Sequence, residues 1–313
     1  MKKWRNIKKK RKVRVGRVII AIVVIFLIIG VITGIVAYSK YKSSLKQAEK
    51  ENTLQSFPFN GVKSGNGDFN VLLLGSDSRG KDRGRSDSIM IARYDKKTGT
   101  PKLVSIMRDT YVDIPGHGKN KINAAYSFGG PELVRKTIKE NFNVDIQYYV
   151  VANFSQFPKI VDTLAPDGIE INAEKNMSKN IDVAIKAGKQ KMDGKTLLQY
   201  ARFRHDAEGD FGRIRRQQQV LNALKEQAVS AGSITKLPDV LGKLQGYTAT
   251  DLPSNLLFKT GIDFVLGKTE PLEKFSIPAK GLWHPERIDG PGDVLRMDDV
   301  AANAKALQDF LNK

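Results

Sequence analysis

Phe69-Asn70-Val71-Leu72-Leu73-Leu74-Gly75 decides the fold. The run from Phe69 to Leu74 is apolar save for Asn70, and it stops at a glycine. Consecutive apolar residues suit a strand covered on both faces, whereas strict alternation would mark a strand with one face in water. Ser88–Tyr94 and Lys102–Met107 read as the next two strands. They are joined through Lys96-Lys97-Thr98-Gly99-Thr100-Pro101, a hairpin-like signal that predicts at least one antiparallel pair. Pro115–Lys121 reads as a polar loop. Pro131 then sits well for the first turn of a helix to Phe142, with Leu133, Val134 and Ile138 on one side. Further on, Gln147–Asn153 and Gly168–Asn172 read as strands around a short helix, Phe157–Leu164. Gly194–Ala201, Phe211–Ser230, Leu256–Leu266 and Val300–Asn312 read as helices, with a strand near Phe275–Pro278. Loose alternation with an antiparallel pair predicts an α/β fold, a mixed central sheet with helices on its faces.

Working back toward the N-terminus, residues 39–67 are polar and then punctuated by Pro58, Gly61, Gly65 and Gly67, the pattern of a stalk. Val18–Tyr38 holds 21 residues without an Asp, Glu, Lys or Arg. At about 1.5 Å per residue this gives roughly 32 Å of helix, enough to cross a bilayer core of about 30 Å. Lys2, Lys3, Arg5, Lys8, Lys9, Lys10, Arg11, Lys12, Arg14 and Arg17 precede it with no acid among them. Positive residues stay on the cytoplasmic side, so the N-terminus is expected inside the cell and the C-terminal domain outside. A cleaved signal peptide competes with this reading, but its apolar region is usually only about 7–15 residues, and Ala37-Tyr38-Ser39 is a weak cleavage match. A buried core helix fits poorly with a segment apolar all round behind a basic run. The expected division is therefore a tail (1–17), a transmembrane anchor (18–38), a stalk (39–67) and one large domain (68–313).

The net charge of +19 divides along the same boundary. Ten positive charges belong to the tail, where they favour anionic lipid headgroups over nucleic acid, and 19 − 10 leaves +9 for the rest, which favours an anionic substrate. Cysteine is absent, which excludes disulfides, a thiol nucleophile and thiolate metal sites. No GxxxxGK[ST] or GxSxG run occurs, and His117, His205 and His284 show no zinc spacing.

Two stretches carry potential chemistry. In the first, Asp77 follows the Phe69 strand and Asp87 opens the next, with Arg79 and Arg85 between them. Neighbouring strands lie about 4.8 Å apart, so two such carboxylates can share one cation, and Mg²⁺ favours one or two carboxylates with water and phosphate oxygens. A polar turn is the plainer alternative. The second stretch runs Tyr200-Ala201-Arg202-Phe203-Arg204-His205-Asp206, then Asp210-Phe211-Gly212-Arg213-Ile214-Arg215-Arg216-Gln217. Arg202 and Arg204 would diverge on a helix but point the same way in extended chain, so they co-operate only where the helix ends near Arg202. Arg213 and Gln217 are four apart and share a helical face, with Asp210 as the expected cap. Guanidiniums grip phosphate oxygens in pairs. A solvated, salt-bridged surface would also explain the charges. Arg108, after the Leu103–Met107 strand, completes a set that points to phosphoryl chemistry beside a membrane.

At these residues the sequence resembles the LytR-CpsA-Psr family of bacterial cell-envelope proteins. The resemblance covers about Phe69 to Gln227. It rests on Val71–Arg79, Arg85–Met90, Val104–Asp109, Lys121–Tyr126, and Tyr200–Arg204 with Asp210–Gln217, five motifs in order. It implies an α-β-α sandwich with an apolar tunnel for a polyprenyl chain, behind a short tail and single anchor. It also implies a phosphotransferase. The donor would be a glycopolymer on undecaprenyl pyrophosphate, of the wall teichoic acid or capsular polysaccharide class, and the acceptor the 6-hydroxyl of peptidoglycan N-acetylmuramic acid. Carried over by position, Asp77 and Asp87 match the Mg²⁺ ligands, a site Mn²⁺ would also suit. Arg85, Arg108, Arg202, Arg204, Arg213 and Gln217 match the pyrophosphate-binding residues. Arg85, Arg108 and Asp109 are the catalytic candidates, and Asp77, Asp87 and Asp109 are all open as proton acceptor. Two other functions compete: a membrane-bound transcriptional regulator, for which the basic tail is the only support, and a non-catalytic binder of polyprenyl lipid or wall polymer.

Overall fold

The computed structural model describes residues 15–52, 56–62, 68–76, 84, 86–94, 100–206, 208–229, 233–265 and 271–313, with side chains of the first helix described from Ile32 onward. The chain opens with α1 (Val15–Glu51). Five strands follow: β1 (Phe69–Ser76), β2 (Ser86–Tyr94), β3 (Pro101–Ile106), β4 (Thr110–Ile114) and β5 (Gly118–Lys121). Next come α2 (Ile122–Phe142), β6 (Tyr148–Asn153), α3 (Phe157–Leu164), β7 (Ile169–Ala173) and β8 (Gly188–Met192). Three helices, α4 (Gly194–Arg202), α5 (Gly209–Val229) and α6 (Ser233–Gly246), lead to β9 (Thr248–Thr250) and α7 (Ser254–Val265). The chain closes with β10 (Glu273–Ile277), β11 (Trp283–Ile288), β12 (Gly292–Met297) and α8 (Val300–Asn312).

The central sheet runs β10-β3-β2-β1-β6-β9. It is mixed: β1 pairs antiparallel with β2 and parallel with β6, while β3 pairs antiparallel with β2 and parallel with β10. The period of two in a strand explains the apolar run. Leu72 and Leu74, with Ile89, Ile91, Tyr149 and Val151 of the neighbouring strands, enter one core with Val134 and Ile138 of α2 and Leu307 of α8. The alternate residues Leu73, Met90, Val150 and Ala152 face α3, α4, α5 and α6. Both faces are therefore apolar, but only the first is filled.

Two further sheets flank the central one, a four-stranded β11-β12-β4-β5 and the β7–β8 pair. The polar loop expected at Pro115–Lys121 contains β5, whose GKNK sequence offers no apolar residue to reveal it. The helix expected from Pro131 starts earlier, at Ile122. Two helical segments meet at Gly130 (φ 66°, ψ −158°), and Pro131 opens the second of them.

The segment expected as a stalk continues α1 to Glu51 and packs on the domain. Tyr41, Leu45 and Ala48 are buried, Tyr41 and Leu45 against Leu237 and Leu241 of α6. The approach is close because α6 presents Gly242 and Gly246. A Cβ at Gly242 would stand 2.5 Å from the Tyr41 carbonyl oxygen, and one at Gly246 2.5 Å from Ala48 Cβ. Tyr41 Oη donates to Gln245 Oε1, and Tyr247 Oη donates to Glu51 Oε2. Val18–Tyr38 lies along this same helix; among the described residues no helix is long and apolar enough to cross a membrane.

Candidate active site

The site forms where strands of the central sheet end beside α4 and α5. Gly75 pairs with Ser88 and Ser76 with Ser86, so the ladder skips Asp87, which sits in a β-bulge. Bulges re-aim a side chain, and here the aim is a polar cavity of about 410 Å³. Ser86 stitches the bulge, its Oγ 2.9 Å from the Ser88 carbonyl and 3.2 Å from that of Gly75. Arg108, just past β3, donates from Nη1 to Asp87 Oδ1 at 2.8 Å and from Nε to Asp109 Oδ2 at 3.3 Å. Lys121 Nζ reaches the other Asp109 oxygen at 3.0 Å. Asp109 thus accepts from cations at both oxygens.

The arginine pair meets its geometric condition. Helix α4 ends at Arg202, and Phe203 is extended (φ −60°, ψ 131°). Phe203 turns into the core beneath β7 and β8 while Arg202 and Arg204 both line the cavity. Arg202 also stacks 5.1 Å over the Phe154 ring. From α5, Arg213 and Gln217 face the same cavity one turn apart. Arg213 Nη2 donates to the Asp87 carbonyl at 3.1 Å, and Ser88 Oγ donates to Gln217 Oε1 at 3.3 Å. The helix is thereby tied to the bulged strand.

Arg216 is fully buried and organises the loop between α4 and α5. It donates to the Phe203 carbonyl at 2.7 Å and to Asp206 Oδ2 at 3.0 Å. The cap expected at Asp210 is corrected by this arrangement. Helix α5 already includes Asp210, and it is Asp206 Oδ1 that accepts the N–H groups of Glu208 (3.1 Å) and Gly209 (3.0 Å). Asp206 is near enough in sequence to fold back on the first turn, which a residue inside that turn cannot do. Burial pushes the Asp206 carboxyl up, but the Lys175 hydrogen bond and the Arg216 charge outweigh it and hold it below the usual carboxylate range.

Of the residues singled out in the sequence, Asp87, Arg108, Arg202, Arg204, Arg213 and Gln217 surround one cavity, and Asp109 sits behind Arg108. Asp77 and Arg85 lie outside the described residues. For a divalent cation, the donor set fits in kind: Asp87 supplies a carboxylate at the mouth, and Asp77 follows directly on Ser76 of the adjacent strand. Among the described residues no group of three acidic or imidazole side chains gathers, so such an ion would take its remaining oxygens from water and phosphate.

Several cavity residues escaped the sequence reading: Phe154, Asn180, Asp182 and Gln199; His205, set aside there for want of zinc spacing, lines the cavity too. Phe154 had a signal, since it follows β6 as Asp77 follows the parallel β1, and open α/β sheets bind ligands at the carboxyl ends of their strands. Asn180 and Asp182 come from irregular chain and had none.

Against this cavity opens a second, apolar one of about 280 Å³, between the unfilled face of the central sheet and α3, α4, α5 and α6. Leu73, Met90, Val150, Leu198, Val220 and Leu244 are among its walls. Phe154, Arg202 and Gln217 line both cavities and so mark the junction.

The model of the LytR_cpsA_psr family matches residues 29–305. The regulatory protein MsrR of Staphylococcus aureus is 42% identical over 274 residues, 87% of this chain and 84% of MsrR. The polyisoprenyl-teichoic acid–peptidoglycan teichoic acid transferase TagU of Bacillus mycoides is 33% identical, over 83% of this chain and 91% of TagU. The crystal structure of Bacillus subtilis TagV superposes with a TM-score of 0.68 at 28% identity, covering 80% of this chain and 97% of TagV. With its motifs gathered around one cavity and matched over most of its length, the chain belongs to the LytR-CpsA-Psr family.

Proposed function

We propose that this protein is a phosphotransferase. It moves a glycopolymer of the wall teichoic acid or capsular polysaccharide class from undecaprenyl pyrophosphate to the 6-hydroxyl of peptidoglycan N-acetylmuramic acid. The observation that carries this reading is the junction at Phe154, Arg202 and Gln217, where an apolar slot meets an arginine-lined cavity. A polyprenyl diphosphate has that same order of chemistries, a hydrocarbon chain ending in a compact polyanion. The relationship to TagU supports the transfer reaction.

In this reading the slot takes the polyprenyl chain nearest the diphosphate, and Arg202, Arg204, Arg213 and Arg108 bind the phosphate oxygens. Fixed guanidiniums stabilise charge as it develops on the leaving polyprenyl phosphate, without reorganising at the moment of reaction. Asp109, held by Lys121, orients Arg108. Arg85 would join the same group. The acceptor hydroxyl attacks the sugar-proximal phosphorus from the Asp87 side. Its proton falls to Asp87, the carboxylate that lines the cavity at the bulge beside Arg108. A bound Mg²⁺, or Mn²⁺ in its place, would be held by Asp77 and Asp87 and would neutralise diphosphate charge.

Residues 18–38 serve as a single membrane anchor in this reading, with the basic tail cytoplasmic and the domain outside the cell, beside the donor's leaflet and within reach of the wall. The test uses full-length protein in lipid nanodiscs with a lipid-linked glycopolymer and peptidoglycan fragments. Mass spectrometry should find a phosphodiester joining polymer to muramic acid. Stable donor binding without transfer, or release of free polymer alone, would defeat the proposal.

A further inference from the structure

A separate polar cavity, of about 270 Å³, lies at the other end of β1. Asn70 lines it and Ser76, at the active-site end, is six residues on, roughly 20 Å at about 3.3 Å per residue. Asn70 shares its face of the sheet with Leu72 and Leu74, the face packed on α2 and α8, whereas Leu73 of the slot points the other way. Asn143, just past α2, and Gln308 and Asn312 of α8 complete the walls. None of the residues lining this cavity lines the active-site cavity or the slot.

The lining selects a ligand class by elimination. Its charges cancel: Arg93 Nη2 pairs with Asp68 Oδ2 at 3.3 Å, and Lys139 Nζ with Asp145 Oδ1 at 2.9 Å. Neither a phosphate nor an amine is therefore favoured. A peptide would seek open backbone to pair with, and here the backbone is taken. Val62 N–H donates to the Ile146 carbonyl and Gln147 N–H to that of Asn70, each at 3.0 Å. What remains is amide. Five of the eleven lining residues are Asn or Gln, side chains that both donate and accept. Three of them are fixed in place: Asn70 Nδ2 donates to the Asp145 carbonyl at 2.7 Å, Gln147 Nε2 to that of Val62 at 2.7 Å, and Gln308 Nε2 to that of Phe142 at 2.8 Å. The other two, Asn143 and Asn312, are exposed, and among the described residues their side chains make no hydrogen bond. Arg93 Nε is buried and also has no acceptor among the described residues, a state that is costly to leave unmet. Val62, Val144 and Leu311 add apolar surface. An uncharged, amphipathic group rich in hydroxyls and amide suits this lining, and the volume, below the roughly 300–1,000 Å³ of drug-sized pockets, suits a single ring. We propose that this cavity binds one uncharged N-acetylhexosamine unit of a glycan strand, with Asn143, Asn312 and Gln308 meeting its hydroxyl and acetamido groups. This goes beyond the transferase reading and does not rest on it, because the two sites share no residue.

The test is binding of chitotetraose, an uncharged N-acetylglucosamine tetramer, to full-length protein in nanodiscs, with maltotetraose and tetra-alanine as comparison probes. Wild-type protein should bind chitotetraose and bind maltotetraose, which lacks acetamido groups, at least fivefold more weakly. Asn143→Ala and Asn312→Ala should each weaken chitotetraose binding about fivefold, the scale of one neutral hydrogen bond, and the double variant more than either. Both positions are exposed, so unfolding temperature should stay at the wild-type value and separate lost contacts from lost fold. Arg204→Ala, in the active-site cavity, should bind chitotetraose as wild type does. No chitotetraose binding by wild-type protein, or equal binding by the Asn143→Ala/Asn312→Ala double variant, would overturn the site. So would a loss confined to Arg204→Ala, which would place the sugar in the active site, or a preference for tetra-alanine, which would make this a peptide site. Failure of the transfer reaction leaves these outcomes unchanged, so the two readings fall separately.

Discussion

Arg108 Nη1 meets Asp87 Oδ1 at 2.8 Å across the gap between the end of β3 and the bulge in β2. The pair is partly exposed, with side chains 17% and 33% accessible, so it adds little stability and is placed for function. Arg108→Ala and Asp87→Ala should each abolish transfer while moving the unfolding temperature by no more than about 3 °C, the scale of 1 kcal/mol in a domain this size. Arg108→Lys should fail to rescue, because an ammonium cannot serve Asp87 and Asp109 through a planar fork. Near-full activity in any of these purified variants would remove Arg108 or Asp87 from the mechanism.

Arg216 behaves in the opposite way. It is fully buried, and its partners Asp206 and the Phe203 carbonyl belong to the loop that carries Arg204. Removing one member of a buried ion pair leaves the other desolvated, at a cost of about 3 kcal/mol or more. Arg216→Met should therefore lower the unfolding temperature by roughly 5–10 °C. Thermal scans that match wild type would show the loop is held by other contacts.

The contrast between these two arginines shows how far the sequence could be read. Arg202, Phe203 and Arg204 revealed themselves because alternation in extended chain and the end of a helix are local rules, and both act within three residues. The same holds for the Phe69–Gly75 run, where two apolar faces are written into consecutive positions. Local rules do not tell a filled face from an open one, so Leu72 and Leu73 look alike although one is core and the other lines the slot. Nor do they tell Arg216 from Arg215, its exposed neighbour paired with Glu174 and Glu208. Asp182 and Gln199 are 17 residues apart and meet only through the tertiary fold. Strands β11 and β12 are largely polar, and what defines them is pairing, β11 with β12 and β12 with the distant β4.

Acid should loosen the active-site loop before the rest of the domain. Hydrogen bonds from Arg215 hold the Glu174 carboxyl below its usual range, and Asp206 is depressed as well, the Lys175 bond and Arg216 charge overcoming burial. A carboxyl whose folded-state pKa lies below its unfolded value contributes stability above the unfolded value, near 4, and loses it as pH falls through the folded value. Unfolding temperature should thus decline below about pH 4, with a shallower decline in Asp206→Asn. An identical acid limb in that variant would show that Asp206 is not a source of the linkage.

Helix α1 is part of the domain's packing, and glycine makes this testable. A side chain at Gly246 would meet Ala48 Cβ at 2.5 Å and the Leu45 carbonyl oxygen at 2.8 Å. Backbone and a Cβ cannot rotate away, so Gly246→Leu must push α1 off α6. Forced overpacking of this kind costs about 1–3 kcal/mol, and lifting the helix also exposes Tyr41, Leu45 and Ala48. Helix α6 carries Leu244 into the wall of the apolar slot, so the displacement reaches the slot too. Gly34→Leu on the same helix is the matched control, since a Cβ there meets nothing within 4 Å. The expected outcome is a lower unfolding temperature and weaker use of membrane-embedded donor in Gly246→Leu, with Gly34→Leu indistinguishable from wild type in unfolding temperature. If both variants match wild type, residues 39–51 act as a loose tether, and the contact with α6 does not shape the slot.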